Sequence, residues 1–223
     1  MGRSLRNPDE IEVVLGIVVG YLAGSVTFGY WLIRIFKHED VRKRGSGNVG
    51  ATNVWRTYGP WYGVPVVVLD TAKGFVPAFV FAHTVSPLAG VLAGAGAMLG
   101  HARPIFLRFE RGGKMVATTG GAFLGVAPLV GGVAAIVWLS AFLLTRYASV
   151  ASILAAVSLP IASYLLGYSW PVIVFATCAA AAVIFLHRAN LKRLLHGEEN
   201  RFVLLKRRGA RKPRRRSPGV RTP

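Results

Sequence analysis

The chain has 223 residues, 53% of them hydrophobic, and its 27 Lys+Arg against 9 Asp+Glu give a formal net charge of +18. Charged residues make up only 16%, well below the about 25% of a soluble domain, and the mean hydropathy is +0.47. This composition excludes an ordinary soluble fold and points to an integral membrane protein.

The first apolar run covers 11–33, with Asp9 and Glu10 ahead of it and Glu12 at its start. A cleaved leader ending near Leu22-Ala23-Gly24 is the alternative, but the run continues through Trp31 to Ile35. That exceeds a usual signal h-region, so an uncleaved first span is predicted. Further runs at 61–83, 88–106, 115–130, 130–146, 150–167 and 170–187 bring the total to seven, near the ~20 residues that a span requires. Gly59-Pro60, Pro87, the hinge "APLVGG" and Gly167 to Ser169 punctuate them. The single cysteine, Cys178, lies in the last run. It excludes a disulfide framework and a cysteine metal cluster, and reads as a small buried apolar side chain.

Lys and Arg occupy 34–44 and 56, 103–114, Arg146, and the stretch from Arg188 onward, while the breaks near 84–87, 127–132 and 167–170 have none. Basic and uncharged breaks therefore alternate with the parity of seven spans. The positive-inside rule then predicts an all-α polytopic membrane protein with seven transmembrane helices, N-terminus outside and C-terminus cytoplasmic. The head, with only Arg3 and Arg6, is consistent with this. Every polar, glycine-rich stretch falls on one face, like the walls of one site.

The first stretch is "GSGNVGATNVWR", Gly45 to Arg56. Its glycines let backbone N–H groups approach a ligand, and Ser46, Asn48, Thr52 and Asn53 add groups that suit phosphate oxygens. A short helix from about Gly50 would offer its N-terminus to an anion. Thr52 and Arg56 would then share a face, with Arg56 as a bidentate clamp. The alternative is a solvated linker. The second stretch, "HARPIFLRFERGGKMVATTGG", holds His101, Gly112, Gly113, Lys114 and Thr118. A Gly-Gly-Lys turn at a helix start again suits phosphate, and His101 is a candidate general base; snorkelling toward lipid headgroups accounts for Arg103 and Arg108.

Within the second run, Asp70 and Lys73 are ionisable groups at membrane depth. They read as functional or as a self-neutralising pair. "RYAS" supplies Arg146 and Ser149, the latter by itself only an N-cap. In "HRANLKRLLHGEENR", His187, Asn190 and Arg193 share a helical face, and the alternative is a basic amphipathic helix on the anionic leaflet. The tail 206–223 reads as a disordered cytoplasmic arm held to anionic lipid headgroups rather than to nucleic acid, following a membrane domain of 1–205.

These stretches, in this order, resemble the acyl-phosphate:glycerol-3-phosphate acyltransferase family (the PlsY type), small bacterial membrane enzymes. The family's three motifs look like "GSGNVGATNVWR", "HARPIFLRFERGGKMVAT" and "NLKRLLHGEENR", and "DTAKG" and the serine of "RYAS" also fit. The resemblance implies a seven-span bundle in the bacterial inner membrane with a cytoplasmic-side active site. It implies acyl transfer from acyl-phosphate to the 1-position of glycerol 3-phosphate, without metal or organic cofactor, giving lysophosphatidic acid and phosphate. By resemblance Ser46, Asn48, Gly50, Thr52 and Asn53 would hold the acyl-phosphate, and Arg56, Lys114, His187 and Asn190 would line the glycerol 3-phosphate side. Ser46, Lys114, His187 and Asn190 are the candidate catalytic residues. Lys73, His101, Gly112, Gly113, Thr118, Ser149 and Arg193 join the candidate binding residues.

The second motif departs from the family. One extra residue appears in "FERGGK", and Met115 stands where glycine is usual. Methionine does not readily adopt positive φ, so a different turn after Lys114 is expected. Val49 stands in place of a common proline. These departures keep a paralogue with altered substrate or no activity as an alternative. A small transporter of phosphorylated anions is another, although the chain has no internal repeat of the kind transporters often carry.

Overall fold

The computed structural model describes residues 10–202. The predicted basic tail at 206–223 and the N-terminal Arg3 and Arg6 lie outside the described residues.

Each of the seven apolar runs is helical. The first is α1 (Glu10–Ser25) and α2 (Phe28–Lys37), which together make one 28-residue apolar unit broken at Val26-Thr27. A short α3 (Ala51–Tyr58) precedes α4 (Pro60–Thr84), α5 (Pro87–Ala102), α6 (Val116–Val126), α7 (Pro128–Thr145), α8 (Ala148–Leu165), α9 (Trp170–Leu186) and α10 (Arg188–Leu195). Proline opens α4, α5 and α7, where its missing N–H costs nothing. Ser86 Oγ caps α5 by accepting from the Ala89 N–H at 3.1 Å. The third apolar run, predicted to reach 106, ends as helix α5 at Ala102 because Pro104 disfavours helix in the residue before it.

Among the described residues, four helical units are long and apolar enough to cross a membrane, and the pair α9–α10, bent by 55°, makes a fifth if taken as one span. α6 has only 11 residues, about 16 Å of helix against a hydrocarbon core of about 30 Å. Large side chains on the outside of the bundle are apolar, among them Val18, Leu22, Val68, Ile136, Leu144 and Ile161. A continuous apolar exterior of this kind marks a membrane-facing surface. Cys178 belongs to it: the cysteine is exposed on α9 rather than buried, a correction explained by the apolar character of α9 on every side.

Close helix approach rests on small residues. A Cβ added to Gly20 or Gly24 of α1 would run into the Ala93 or Ala97 carbonyl of α5, and one on Gly96 or Gly100 would strike α1 in return. Lipid supplies no hydrophobic drive between helices, so such backbone-to-backbone packing supplies the adhesion. Gly74 on α4 and Gly121 on α6 interlock the next pair in the same way. The main core lies among α5, α6, α8 and α9, where Phe123 stacks on Phe175 with ring centroids 4.8 Å apart.

Candidate active site

The last of the four polar stretches touches each of the other three. Lys114, before α6, donates through Nζ to Asn190 Oδ1 on α10. Asn190 Nδ2 donates to Glu199 Oε1 at 2.7 Å, and Ser149 Oγ on α8 donates to the same oxygen at 3.0 Å. Arg193 Nε donates to Glu199 Oε2 at 2.8 Å. The segment after α10 is then fastened across the group: Arg56 Nη2 donates to the Asn200 carbonyl at 2.7 Å, and the Phe202 N–H donates to the Arg146 carbonyl at 2.7 Å. Arg56 also lies over the Phe202 ring, 5.5 Å from its centroid.

Glu199 is therefore the hub, and it is absent from the sequence-predicted residues. Burial pushes its carboxyl up, but the bonds from Asn190, Arg193 and Ser149 outweigh that and hold it below the ordinary range. Ser149 does not cap α8, whose N-cap is Tyr147; its hydroxyl serves Glu199 instead. Burial, together with Arg193, Arg111 and Arg56 nearby, lowers the Lys114 ammonium to about 8, with Glu199 opposing. His187 sits at the bend between α9 and α10, and its Nδ1 lies 2.8 Å from the Val183 carbonyl. A carbonyl only accepts, so Nδ1 carries the proton and Nε2 is left as an acceptor.

The first stretch forms a second group. Helix α3 begins after Gly50, as expected. Asn53 is buried and spends its amide on the loop: Oδ1 accepts from the Ser46 N–H at 2.9 Å, while Nδ2 donates to the Arg44 and Asn48 carbonyls. Asn48 Oδ1 accepts from the Gly50 N–H at 2.7 Å. Gly45 and Gly47 have positive φ, and a Cβ on Gly45 would overlap Asn53 Oδ1. Asn53 thus shapes the cradle from within, leaving the exposed Ser46 and half-buried Thr52 on its rim.

In the second stretch the Gly112 and Gly113 N–H groups donate to the Ala102 and His101 carbonyls, each at 3.0 Å. A Cβ on Gly113 would overlap the His101 ring. Both donors are already taken, so these glycines shape the turn and Lys114 is the group it presents. His101 is buried beneath it, with Nδ1 3.8 Å from Asp70 Oδ1. Asp70 pairs with Lys73 at 2.7 Å, and Lys73 Nζ donates to the Val26 carbonyl at 2.7 Å. Lys73 and His101 thus belong to this third, buried group. Thr118 is fully buried against α4, and its Oγ1 has no hydrogen-bond partner among the described residues.

Met115 departs from expectation. It adopts φ 66°, ψ −6°, the left-handed conformation that glycine takes freely, so the turn survives the substitution. Its side chain is buried in the main core, and that contact offsets the backbone strain.

A family model described as glycerol-3-phosphate acyltransferase matches residues 14–197. The chain belongs to the glycerol-3-phosphate acyltransferase family. The relative from Desulforudis audaxviator is 45% identical over 198 residues, covering 89% of this chain and 100% of its own. That from Aquifex aeolicus is 43% identical over 188 residues, covering 83% and 97%. Among solved structures, the integral membrane glycerol 3-phosphate acyltransferase PlsY (YgiH) in its glycerol 3-phosphate form is 41% identical. It matches with a TM-score of 0.82 over 86% of this chain and 96% of that one. Its lysophosphatidic acid form matches at 0.79 and 39% identity, over 86% and 95%. Family membership also makes this chain a multi-pass integral membrane protein of the PlsY type.

Proposed function

We propose that the chain transfers an acyl group from an acyl-phosphate to the 1-hydroxyl of glycerol 3-phosphate, giving lysophosphatidic acid and inorganic phosphate. The observation that carries this reading is the Lys114–Asn190–Glu199 chain at the meeting point of four basic stretches. Membership of a family named for glycerol 3-phosphate acylation supports the acceptor, and the lysophosphatidic acid form of the similar structure supports the product. The donor follows from the motif resemblance.

An acyl-phosphate is already an activated anhydride, so positioning and charge stabilisation suffice. The glycerol 3-phosphate hydroxyl oxygen attacks the acyl carbonyl carbon. The bond from that carbon to the phosphate oxygen breaks, and phosphate departs with the bonding electrons. The hydroxyl proton leaves by way of His187 Nε2 and ends on phosphate. Lys114, with Arg56 and Arg193, holds the glycerol 3-phosphate dianion; Asn190 aims the ammonium without neutralising it. Ser46 and Thr52, on the rim of the loop that Asn48, Gly50 and Asn53 shape, face the acyl-phosphate. Gly112 and Gly113 set the Lys114 turn. Lys73, His101 and Thr118 support that turn from below.

In this reading the chain crosses the bacterial cell membrane seven times, N-terminus outside, and residues 1–205 form one domain whose site faces the cytoplasm. The acyl chain stays in lipid while its headgroup enters the site, and the tail at 206–223 rests on anionic headgroups. The test is donor choice. Purified protein in proteoliposomes should acylate labelled glycerol 3-phosphate with acyl-phosphate and not with an acyl thioester. Transfer from the thioester alone would overturn the donor assignment, and uptake of label without any donor would favour transport.

A further inference from the structure

The residue that lengthens the second motif makes a contact just ahead of the first, at Arg42. Glu110 accepts from Arg42 Nη1 through Oε2, joining stretches 68 residues apart. Arg42 is already fixed when it does so: Asp40 Oδ1 accepts from its N–H at 2.9 Å and from Nε at 3.0 Å, and Asp40 Oδ2 accepts from Nη2 at 2.8 Å. The guanidinium also lies over the Tyr30 ring, 4.9 Å from its centroid. Beneath it Val41 is fully buried against Ile33, Val49, Val54 and Val66.

On the other side, the chain makes room for Glu110 by placing Arg108 and Phe109, consecutively, at φ 53° and 58°. The Phe109 N–H donates to the Pro104 carbonyl and the Glu110 N–H to the Leu107 carbonyl, each at 3.0 Å. The bulge is therefore a bonded turn with its acid aimed at Arg42. Each partner stands four residues before a functional group, Arg42 before Ser46 and Glu110 before Lys114. The Arg42 carbonyl also lies 3.0 Å from where a Cβ on Gly47 would stand. The Gly47 N–H donates to the Arg44 carbonyl at 2.9 Å and the Arg44 N–H to the Val41 carbonyl at 3.1 Å, so the turn that carries Arg42 is bonded to the cradle.

We infer that Glu110 is a positioning residue: with Arg42 it forms a clasp that fixes the distance between the Ser46 loop and the Lys114 turn. Exposed ion pairs are ordinarily weak because two long side chains must be ordered. Here Asp40 and Tyr30 have ordered one of them in advance, which leaves Glu110 alone to be immobilised. At 63% side-chain exposure Glu110 remains open to salt, so the clasp loosens as ionic strength rises. The effect on catalysis rests on the acyl-transfer reading above, whereas the clasp itself does not.

Two measurements test it. Spin labels at Lys43→Cys and Arg108→Cys, in a Cys178→Ala background, report the separation of the two loops whatever the protein catalyses. One narrow distance distribution is expected, broadened by Glu110→Gln or by about 1 M salt, where screening reaches about 3 Å, and largely kept in Glu110→Asp. An unchanged distribution in Glu110→Gln would overturn the clasp. In the acyl-transfer assay Glu110→Gln should raise KM for a phosphate-bearing substrate about threefold, with kcat within about twofold, a loss of the size expected for one such pair. That difference should vanish at high salt. Equal KM values at low salt would overturn the positioning role. A wild-type protein that turns over neither substrate would instead refute the proposed function, and the label distances would still decide the clasp.

Discussion

Lys114 donates a hydrogen bond to Asn190, 76 residues further along the chain, and Asn190 is held in turn by Glu199. An amide is neutral, so it orients the ammonium and leaves its charge for a substrate phosphate.

That arrangement sets a pH dependence. Lys114 titrates at about 8 because burial disfavours its charge. Only the protonated form attracts phosphate, so affinity is full below this value and is lost as pH rises through it. KM for glycerol 3-phosphate should be level near neutrality and climb by up to tenfold per unit above about pH 8. Lys114→Arg should abolish the climb, since guanidinium stays charged. Initial rates across about pH 6.5 to 9.5 decide this, and a flat wild-type profile would contradict it.

Glu199→Gln should be costlier than Ser149→Ala. The first removes the charge that fixes Arg193 and places an amide N–H among donors, a loss of about 1.5–3 kcal/mol. The second removes one neutral hydrogen bond, about 1 kcal/mol. Thermal unfolding in detergent should rank them in that order, and product formation should fall at least tenfold for Glu199→Gln alone.

Met115→Gly should not improve the protein. Left-handed backbone costs methionine about 1–2 kcal/mol, but its buried side chain contributes about 1.5–3 kcal/mol. Relief and loss nearly cancel, and the turn is already formed. The expectation is a stability change within about 1 kcal/mol and kcat within twofold, measured by thermal unfolding and initial rates. A large gain in turnover would show that the methionine impairs the site.

Asp70 and Lys73 are 2% and 6% exposed, so neither charge tolerates losing the other. Asp70→Asn or Lys73→Met alone should destabilise by about 3–5 kcal/mol, and the double change by much less. A double-mutant cycle on thermally unfolded, detergent-purified protein checks this. Additive losses would contradict the pairing.

The helices were legible because apolar runs and Pro or Gly breaks are local signals; "APLVGG" marked the α6–α7 break and Gly50 the start of α3. The polar residues of the site were legible as types crowded into four stretches. Their wiring was not. Glu199 bonds Ser149 from 50 residues away, and an acid within a basic run reads as a solvated charge until its partners are placed. Asn53 and the Gly-Gly pair looked like phosphate donors because the sequence does not reveal that the loop itself consumes their hydrogen bonds. Met115 misled for a different reason: backbone preference is a local cost, and core packing overrode it.

The central claim is that the group around Lys114 holds a phosphate-bearing acceptor during acyl transfer. Purified wild-type protein and Lys114→Ala should each be given acyl-phosphate and glycerol 3-phosphate, with lysophosphatidic acid and phosphate measured together. The account predicts equal amounts of both products from wild type and at least a hundredfold slower formation by the variant, about 3 kcal/mol of lost transition-state stabilisation. Undiminished transfer by Lys114→Ala, or phosphate release without lysophosphatidic acid from wild type, would contradict it.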